Sequence, residues 1–209
     1  MIKIEHSVLG MCGTNTYYVY NPGTGKGFII DPADDAQTII AKTDRLGFKP
    51  EAVLLTHGHF DHILALDEVR EHYGVKAYAG EAERAVLCSP LYNLTSTFMG
   101  NPYTTEADVY IKDGERFNIA GYDILAIEVP GHTVGGTCYY IESEGVIFTG
   151  DTLFCESVGR SDFPSGNGAL LCRTIKEKLF SLPEDTKVYP GHMEETTIAH
   201  EIKYNPFCQ

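Results

Sequence analysis

Three histidines and one aspartate fall within the six residues from 57 to 62 of the stretch Thr56-His57-Gly58-His59-Phe60-Asp61-His62. Imidazole nitrogens and carboxylate oxygens form a ligand set suited to zinc, iron or manganese, and a cluster this dense at a strand end reads as a metal site. Side chains two apart in an extended segment share a face, so His57 and His59 can grip one ion together. Asp61 and His62 are neighbours where the chain turns from strand to helix; they diverge there and can reach a second position. One short loop could seed two metal sites.

The second half of the chain supplies what that loop lacks. Glu128-Val129-Pro130-Gly131-His132 and Val188-Tyr189-Pro190-Gly191-His192 repeat one device: an apolar strand, then Pro-Gly, then His. Proline ends strand pairing and glycine permits a sharp path, so each histidine is held where its strand stops. Val146-Ile147-Phe148-Thr149-Gly150-Asp151 delivers a carboxylate in the same way. Two ions sharing a carboxylate would use His57, His59 and His132 on the first, Asp61, His62 and His192 on the second, and Asp151 between them. His6, His72 and His200 lack this context and read as structural or exposed. Asp31, also at a strand end, reads as a turn or capping residue.

The elements that must position these residues follow from periodicity. Residues 2–9, 14–20 and 27–30 read as strands, with Asn21-Pro22-Gly23-Thr24-Gly25 as hairpin chemistry. Asp34 or Asp35 can cap a helix running to about Leu46, stopped by Gly47. The apolar run Ala52-Val53-Leu54-Leu55 feeds the histidine loop, and a helix is expected from Asp61 to about Tyr73. A short strand over 75–79 and a helical piece over 81–87 follow. Ser89 to Glu106 has no clear period; its aromatic residues are expected to shield the site, contact substrate or pack beneath the loop. From Val109 the pattern reads as a second meander of strands, then a helix over 169–180, a last strand over 187–189 and a last helix over 194–202. Two packed sheets with helices outside are expected, as a single domain over 1–209.

Lys and Arg total 16 against 29 Asp and Glu, a formal net charge of -13. A chain of that sign repels phosphate, and no basic run offsets it, which disfavours nucleic acid and anionic membrane surfaces as partners. No apolar run reaches the ~20 residues of a membrane helix, and Met1-Ile2-Lys3-Ile4-Glu5-His6 does not read as a secretory signal, so a cytoplasmic location is expected. The six cysteines form no Cys-x-x-Cys pair and are expected to be small buried hydrophobes, with Cys155, close behind Asp151, as the one to watch. Oligomeric state is not encoded in any recognisable pattern.

With these residues assembled, the sequence resembles the metallo-β-lactamase superfamily, and within it the glyoxalase II-like hydrolases. The resemblance rests on His-x-His-x-Asp-His at 57–62, Gly-His at 131–132, Gly-Asp at 150–151 and Gly-His at 191–192. It implies an α/β fold, a four-layer αββα sandwich with a dinuclear metal site at the sheet edge. It also implies two divalent ions, zinc first with iron or manganese as options, and hydrolysis of a small-molecule thioester in which Asp61 orients the attacking water. Flavodiiron oxygen reductases carry a glutamate where Phe60 stands. True β-lactamases generally lack the bridging aspartate and are exported, whereas Asp151 is present. Glyoxalase II proper continues into a C-terminal helical region, so a shorter relative is expected. The segment from Asp151 to Arg160 is similar to the loop where glyoxalase II places a basic substrate-binding residue, which assigns that role to Arg160; the family's neighbouring tyrosine has no counterpart in Ser161-Asp162-Phe163. Persulfide dioxygenases, which hold a single iron with the equivalents of His57, His132 and Asp151, are the rival reading. Hydrolysis of a lactone or phosphodiester is a further one.

Overall fold

The computed structural model describes residues 2–209. In chain order, β1 (Lys3–Leu9), β2 (Thr14–Asn21) and β3 (Lys26–Ile30) are followed by α1 (Ala36–Leu46), β4 (Lys49–Leu54), α2 (Phe60–Ile63), α3 (Leu66–Tyr73) and β5 (Lys76–Gly80). After a 3-10 turn at Glu81–Glu83 come α4 (Arg84–Leu87), α5 (Thr95–Phe98) and β6 (Val109–Ile111). These six strands form one sheet in sequence order, antiparallel from β1 to β3 and parallel from β3 to β6.

The second half contributes β7 (Arg116–Ile119), β8 (Tyr122–Glu128), β9 (Thr137–Ile141), β10 (Val146–Gly150), the small hairpin β11 (Leu153–Phe154) and β12 (Ser157–Val158), α6 (Gly168–Thr174), β13 (Lys187–Pro190), β14 (Thr196–Thr197) and α7 (Ile198–Tyr204). Its six-stranded sheet runs β14-β13-β10-β9-β8-β7.

Period-two alternation sorts side chains into layers. In β2, Tyr17 and Val19 point between the sheets, where they meet Phe28, Leu54, Ile124, Tyr139 and Phe148, while Tyr18 points outward. That outer face of the first sheet is covered by Ile39 of α1 and by Leu66 and Val69 of α3. The outer face of the second is covered by Leu171 of α6, Ile175, Leu179 and Ile198 of α7. The result is the expected αββα sandwich.

Several boundaries differ from the sequence reading. The helix expected from Asp61 to Tyr73 is two pieces, broken at Leu64 and Ala65, where the Ala65 amide donates to Pro32 O at 3.1 Å. β6 does not open the second meander; it pairs in parallel with β5 and closes the first sheet. The 169–180 helix passes into a π-helical stretch at Ile175–Leu179, and the last helix starts only at Ile198 because β14 takes Thr196 and Thr197. The cysteine expectation holds for Cys138 and Cys208 alone: Cys12 and Cys88 are exposed, and Cys155 and Cys172 half-buried. Among the described residues, no helix is long and apolar enough to cross a membrane.

Candidate metal centre

The ends of four strands converge at one edge of the sandwich. β10 lies parallel to β13, and β9 runs antiparallel to both β8 and β10, so β8, β10 and β13 all point the same way and present His132, Asp151 and His192 together. The end of β4 is stitched to them by the Thr137 amide donating to Thr56 O at 2.8 Å and by Tyr139 Oη donating to Leu55 O at 2.7 Å. Two glycines permit the close approach. A Cβ on Gly191 would stand 2.3 Å from Asp151 Oδ1, and one on Gly150 would stand 2.2 Å from Thr56 Oγ1. Any larger residue at 191 would displace the carboxylate between the histidines.

All seven residues expected as ligands meet here. His59 Nδ1 lies 2.9 Å from His132 Nε2, which lies 3.2 Å from His57 Nε2. His192 Nε2 lies 3.4 Å from Asp61 Oδ2, and His62 Nε2 lies 3.8 Å from the same oxygen. Asp151 spans the two groups: Oδ2 is 3.6 Å from His132 Nε2 and 3.5 Å from His192 Nε2, while Oδ1 is 3.3 Å from His62 Nε2. A tetrahedral ion about 2.1 Å from its ligands sets them about 3.4 Å apart, which is the spacing seen. His62 Nε2 and Asp151 Oδ1 are moreover buried without a hydrogen-bond partner. The donor set therefore fits two divalent cations, His57, His59 and His132 able to hold one, Asp61, His62 and His192 the other, with Asp151 shared.

The surroundings orient these rings. His132 Nδ1 donates to Arg160 O at 2.7 Å, leaving Nε2 to face the centre. His62 Nδ1 is held 2.9 Å from Asp31 Oδ2, and Asp31 also accepts from Thr56 N at 2.8 Å and Thr56 Oγ1 at 2.6 Å. Asp31 is thus no mere turn residue. It is a buried orienting carboxylate behind the histidine loop, and its identity as such depends on β3 lying beside β4, a pairing that its own neighbours in sequence do not announce. Replacing Asp31 by Ala is expected to lower metal affinity or activity about 10- to 100-fold, because His62 loses the partner that fixes its ring; unchanged zinc affinity in a competitive chelator titration would contradict that role.

A second carboxylate that sequence reading passed over lies deeper. Glu83 is fully buried and accepts from the Gly58 amide at 2.8 Å, the Gly135 amide at 2.8 Å and the Thr133 hydroxyl. It ties the loop of His57 and His59 to the loop of His132.

Burial holds His57, His59 and His132 below the ordinary imidazole value, His59 at about 3, so these three are neutral and ready to donate lone pairs. Burial also disfavours charge on His62 and His192. Around His62 it is outweighed by the carboxylates of Asp151, Asp61 and Asp31, which raise it well above 6.5; hydrogen bonds to Asp151 and Asp61 raise His192 to about 9. Burial would raise Asp61, but the charge on His62 and the His192 hydrogen bond bring it down to about 2, and Asp151 is likewise held well below its usual range. A cation entering the metal-free protein must displace the protons of His62 and His192. Uptake is therefore expected to release protons at neutral pH, and apparent affinity to rise with pH as His62 and His192, the latter at about 9, lose their protons. Zinc titration calorimetry in buffers of different ionisation enthalpy reads this directly; no buffer dependence at pH 7 would contradict it.

A cavity of about 490 Å³ opens above the cluster. His59, Asp61, His132, Asp151 and His192 form its floor, and Met11, Leu94, Phe98, Phe154, Phe163 and Met193 give it an apolar wall. Leu94 and Phe98 come from the unpatterned segment 89–106, whereas Tyr103 of that segment is turned away to donate to Asp67. Arg160 lies on the rim, but its guanidinium is not free. It is paired with both carboxylate oxygens of Asp162, at 2.7 and 2.8 Å, and stacks on the Phe163 ring.

The family model described as the metallo-beta-lactamase superfamily matches residues 9–192, from the end of β1 through His192. The chain belongs to this superfamily. Among curated relatives, it is 36% identical to a probable metallo-hydrolase of Streptococcus pyogenes, covering 99% of this chain and 90% of that protein. It is 34% identical to the hydroxyacylglutathione hydrolase GloC of Haemophilus influenzae over 86% of this chain and 85% of that one. Among solved structures, BLEG-1, described as a B3 metallo-beta-lactamase, is 38% identical with a TM-score of 0.93 and covers 100% of this chain and 99% of that one. A di-iron-bound form of TTHA1623 is 30% identical with a TM-score of 0.86, covering 97% and 99%, and ETHE1 from Myxococcus xanthus is 26% identical with a TM-score of 0.79, covering 98% and 83%. Membership of the superfamily and the clustered donors identify a metallo-hydrolase.

Proposed function

We propose that this metallo-hydrolase is a thioesterase of the glyoxalase II type, acting on a small-molecule thioester with two divalent ions in the centre. The observation that carries the reading is the single carboxylate of Asp151 standing between two sets of three donors at the floor of an open cavity. The similarity to GloC supports the substrate class. When bound, a pair of divalent cations supplies Lewis acidity, lowering the pKa of water and polarising a carbonyl.

The chain's own groups do the rest. Asp61, ionised and steadied by the Thr14 hydroxyl at 3.1 Å, faces the cavity and can orient a water and accept its proton as oxygen adds to the thioester carbonyl. The C–S bond then breaks, and that proton passes to the departing sulfur, giving a carboxylic acid and a free thiol. The apolar wall receives the uncharged part of the substrate. Arg160 meets an anionic group at the rim, in competition with Asp162.

Release of free thiol from S-D-lactoylglutathione, followed with a thiol reagent, tests this reading. Arg160→Ala is expected to raise KM about three- to tenfold with kcat little changed, because it removes an attraction present in ground and transition states alike. Absence of thiol release by the metal-loaded protein, with hydrolysis of a chromogenic cephalosporin instead, would replace the thioester by a β-lactam.

The second reading, a persulfide dioxygenase with one iron, draws on the likeness to ETHE1 and on His57, His132 and Asp151 standing together. Oxygen uptake with a persulfide substrate distinguishes it.

A further inference from the structure

Away from the centre, on the side of the second sheet where α7 packs, a different set of donors meets. Cys155 Sγ, an imidazole nitrogen of His200 and a carboxylate oxygen of Glu201 lie within 4.8 Å of one another. Glu156 lies beside the group, its Oε1 3.0 Å from His200 Nε2. None of these residues belongs to the catalytic floor, and none was given a role by the sequence pattern beyond the position of Cys155 behind Asp151. We propose that Cys155, His200 and Glu201 form a second, independent binding site for one soft or borderline divalent cation of the zinc class.

Four observations support it. A thiol beside an imidazole and a carboxylate is a donor combination that selects zinc-like ions over magnesium or calcium. The site is reachable, because a cavity of about 300 Å³ opens onto it, lined by Cys155, Lys187, Glu195, Thr196, Thr197 and His200. The local field suits a cation: besides burial, the charges of Glu201, Glu194 and Glu156 all bear on the Cys155 sulfur, and Lys187 is the only lysine or arginine in the cavity wall. Finally, one donor is preorganised. Glu201 is buried and fixed by Thr196 Oγ1 at 2.6 Å, the Glu156 amide at 2.9 Å and Asn205 Nδ2 at 2.8 Å, which leaves carboxylate lone-pair capacity for an ion at a held position.

The placement gives the site a consequence. Cys155 and Glu156 form the turn of the β11–β12 hairpin, whose Phe154, Ser157 and Val158 line the catalytic cavity, and Phe154 packs edge-on to His192. Glu201 and His200 sit on α7. An ion bridging them would clamp the hairpin to the helix and so stiffen one wall of the catalytic cavity from behind.

Cobalt(II) is the probe, because a thiolate bound to cobalt gives an intense near-ultraviolet charge-transfer band that imidazole and carboxylate ligands do not. The catalytic centre has no cysteine among its candidate ligands, although Cys12 lines its cavity. The intact protein is loaded with cobalt, and metal is counted on the same sample. The expected result is a thiolate band in the wild type, lost in Cys155→Ser and His200→Ala, retained in Cys12→Ser and Asp151→Ala, with one ion fewer per chain in Cys155→Ser. No band in the wild type, a band lost in Cys12→Ser but kept in Cys155→Ser, or equal metal content in wild type and Cys155→Ser would each overturn the proposal. Cys155→Ser changes one atom of a half-buried side chain and is expected to fold, and circular dichroism of the same sample checks this.

Discussion

Asp151→Ala is expected to take hydrolytic activity to the limit of detection and to leave the protein unable to retain its full metal complement through dialysis, with the fold intact. The carboxylate stands within 3.6 Å of His62, His132 and His192 at once, so its removal strips a ligand from both halves of the centre. It also removes one of the negative charges that offset the two cations and, in their absence, the protons on His62 and His192. The fold is expected to survive because Asp151 lies beyond the end of β10, outside all three apolar clusters. Metal analysis, thioester turnover and circular dichroism on one preparation check the three parts together. Wild-type turnover in the variant would mean that Asp151 is not the shared carboxylate.

Glu83→Ala is expected to give the largest loss of stability of any single substitution around the centre. It leaves the Gly58 and Gly135 amides and the Thr133 hydroxyl buried without an acceptor. An unsatisfied buried donor costs about 1–3 kcal/mol, so the sum over the three is roughly 3–9 kcal/mol, a large share of a total stability that for most domains is about 5–15 kcal/mol. Burial raises the Glu83 carboxyl to about 7, against the pull of those three donors. Glu83→Gln is expected to be milder than Ala, since it keeps one acceptor oxygen and fills the space, yet it turns an amide N–H toward a donor. Urea unfolding of the metal-free proteins reads both; a midpoint for Glu83→Ala within error of wild type would show that water replaces the carboxylate at no cost.

The centre was legible in the sequence because its ligands are placed by short-range devices. A strand followed by Pro-Gly-His, or by Gly-Asp, fixes where a side chain emerges without reference to distant residues, and His57 to His62 share one loop. What stayed hidden was set by contacts between residues far apart in the chain. Asp31 reads as a turn residue until β3 is placed beside β4, when its carboxylate comes within 2.9 Å of His62. Glu83 reads as one more acidic residue in Glu81-Ala82-Glu83 until the His132 loop folds over it. The pairing of β6 with the first sheet was equally invisible, since three residues, Val109 to Ile111, carry no signal of which edge they will join. Arg160 stands at the rim, where its bond to Asp162, two residues on, weakens its claim on a substrate anion. Cys155 is close to Asp151 in sequence, and its closeness in space to His200 and Glu201 is carried by the packing of α7, which no local pattern announces.

The most direct test of the central claim combines elemental analysis of the purified protein with thiol release from S-D-lactoylglutathione on the same sample. The account predicts about two zinc-class or iron ions bound by the seven residues of the centre, counted in the Cys155→Ser protein so that the second site does not contribute, together with turnover that scales with metal content. A single iron per chain with oxygen consumption on a persulfide, and no thioester cleavage at any metal loading, would contradict it.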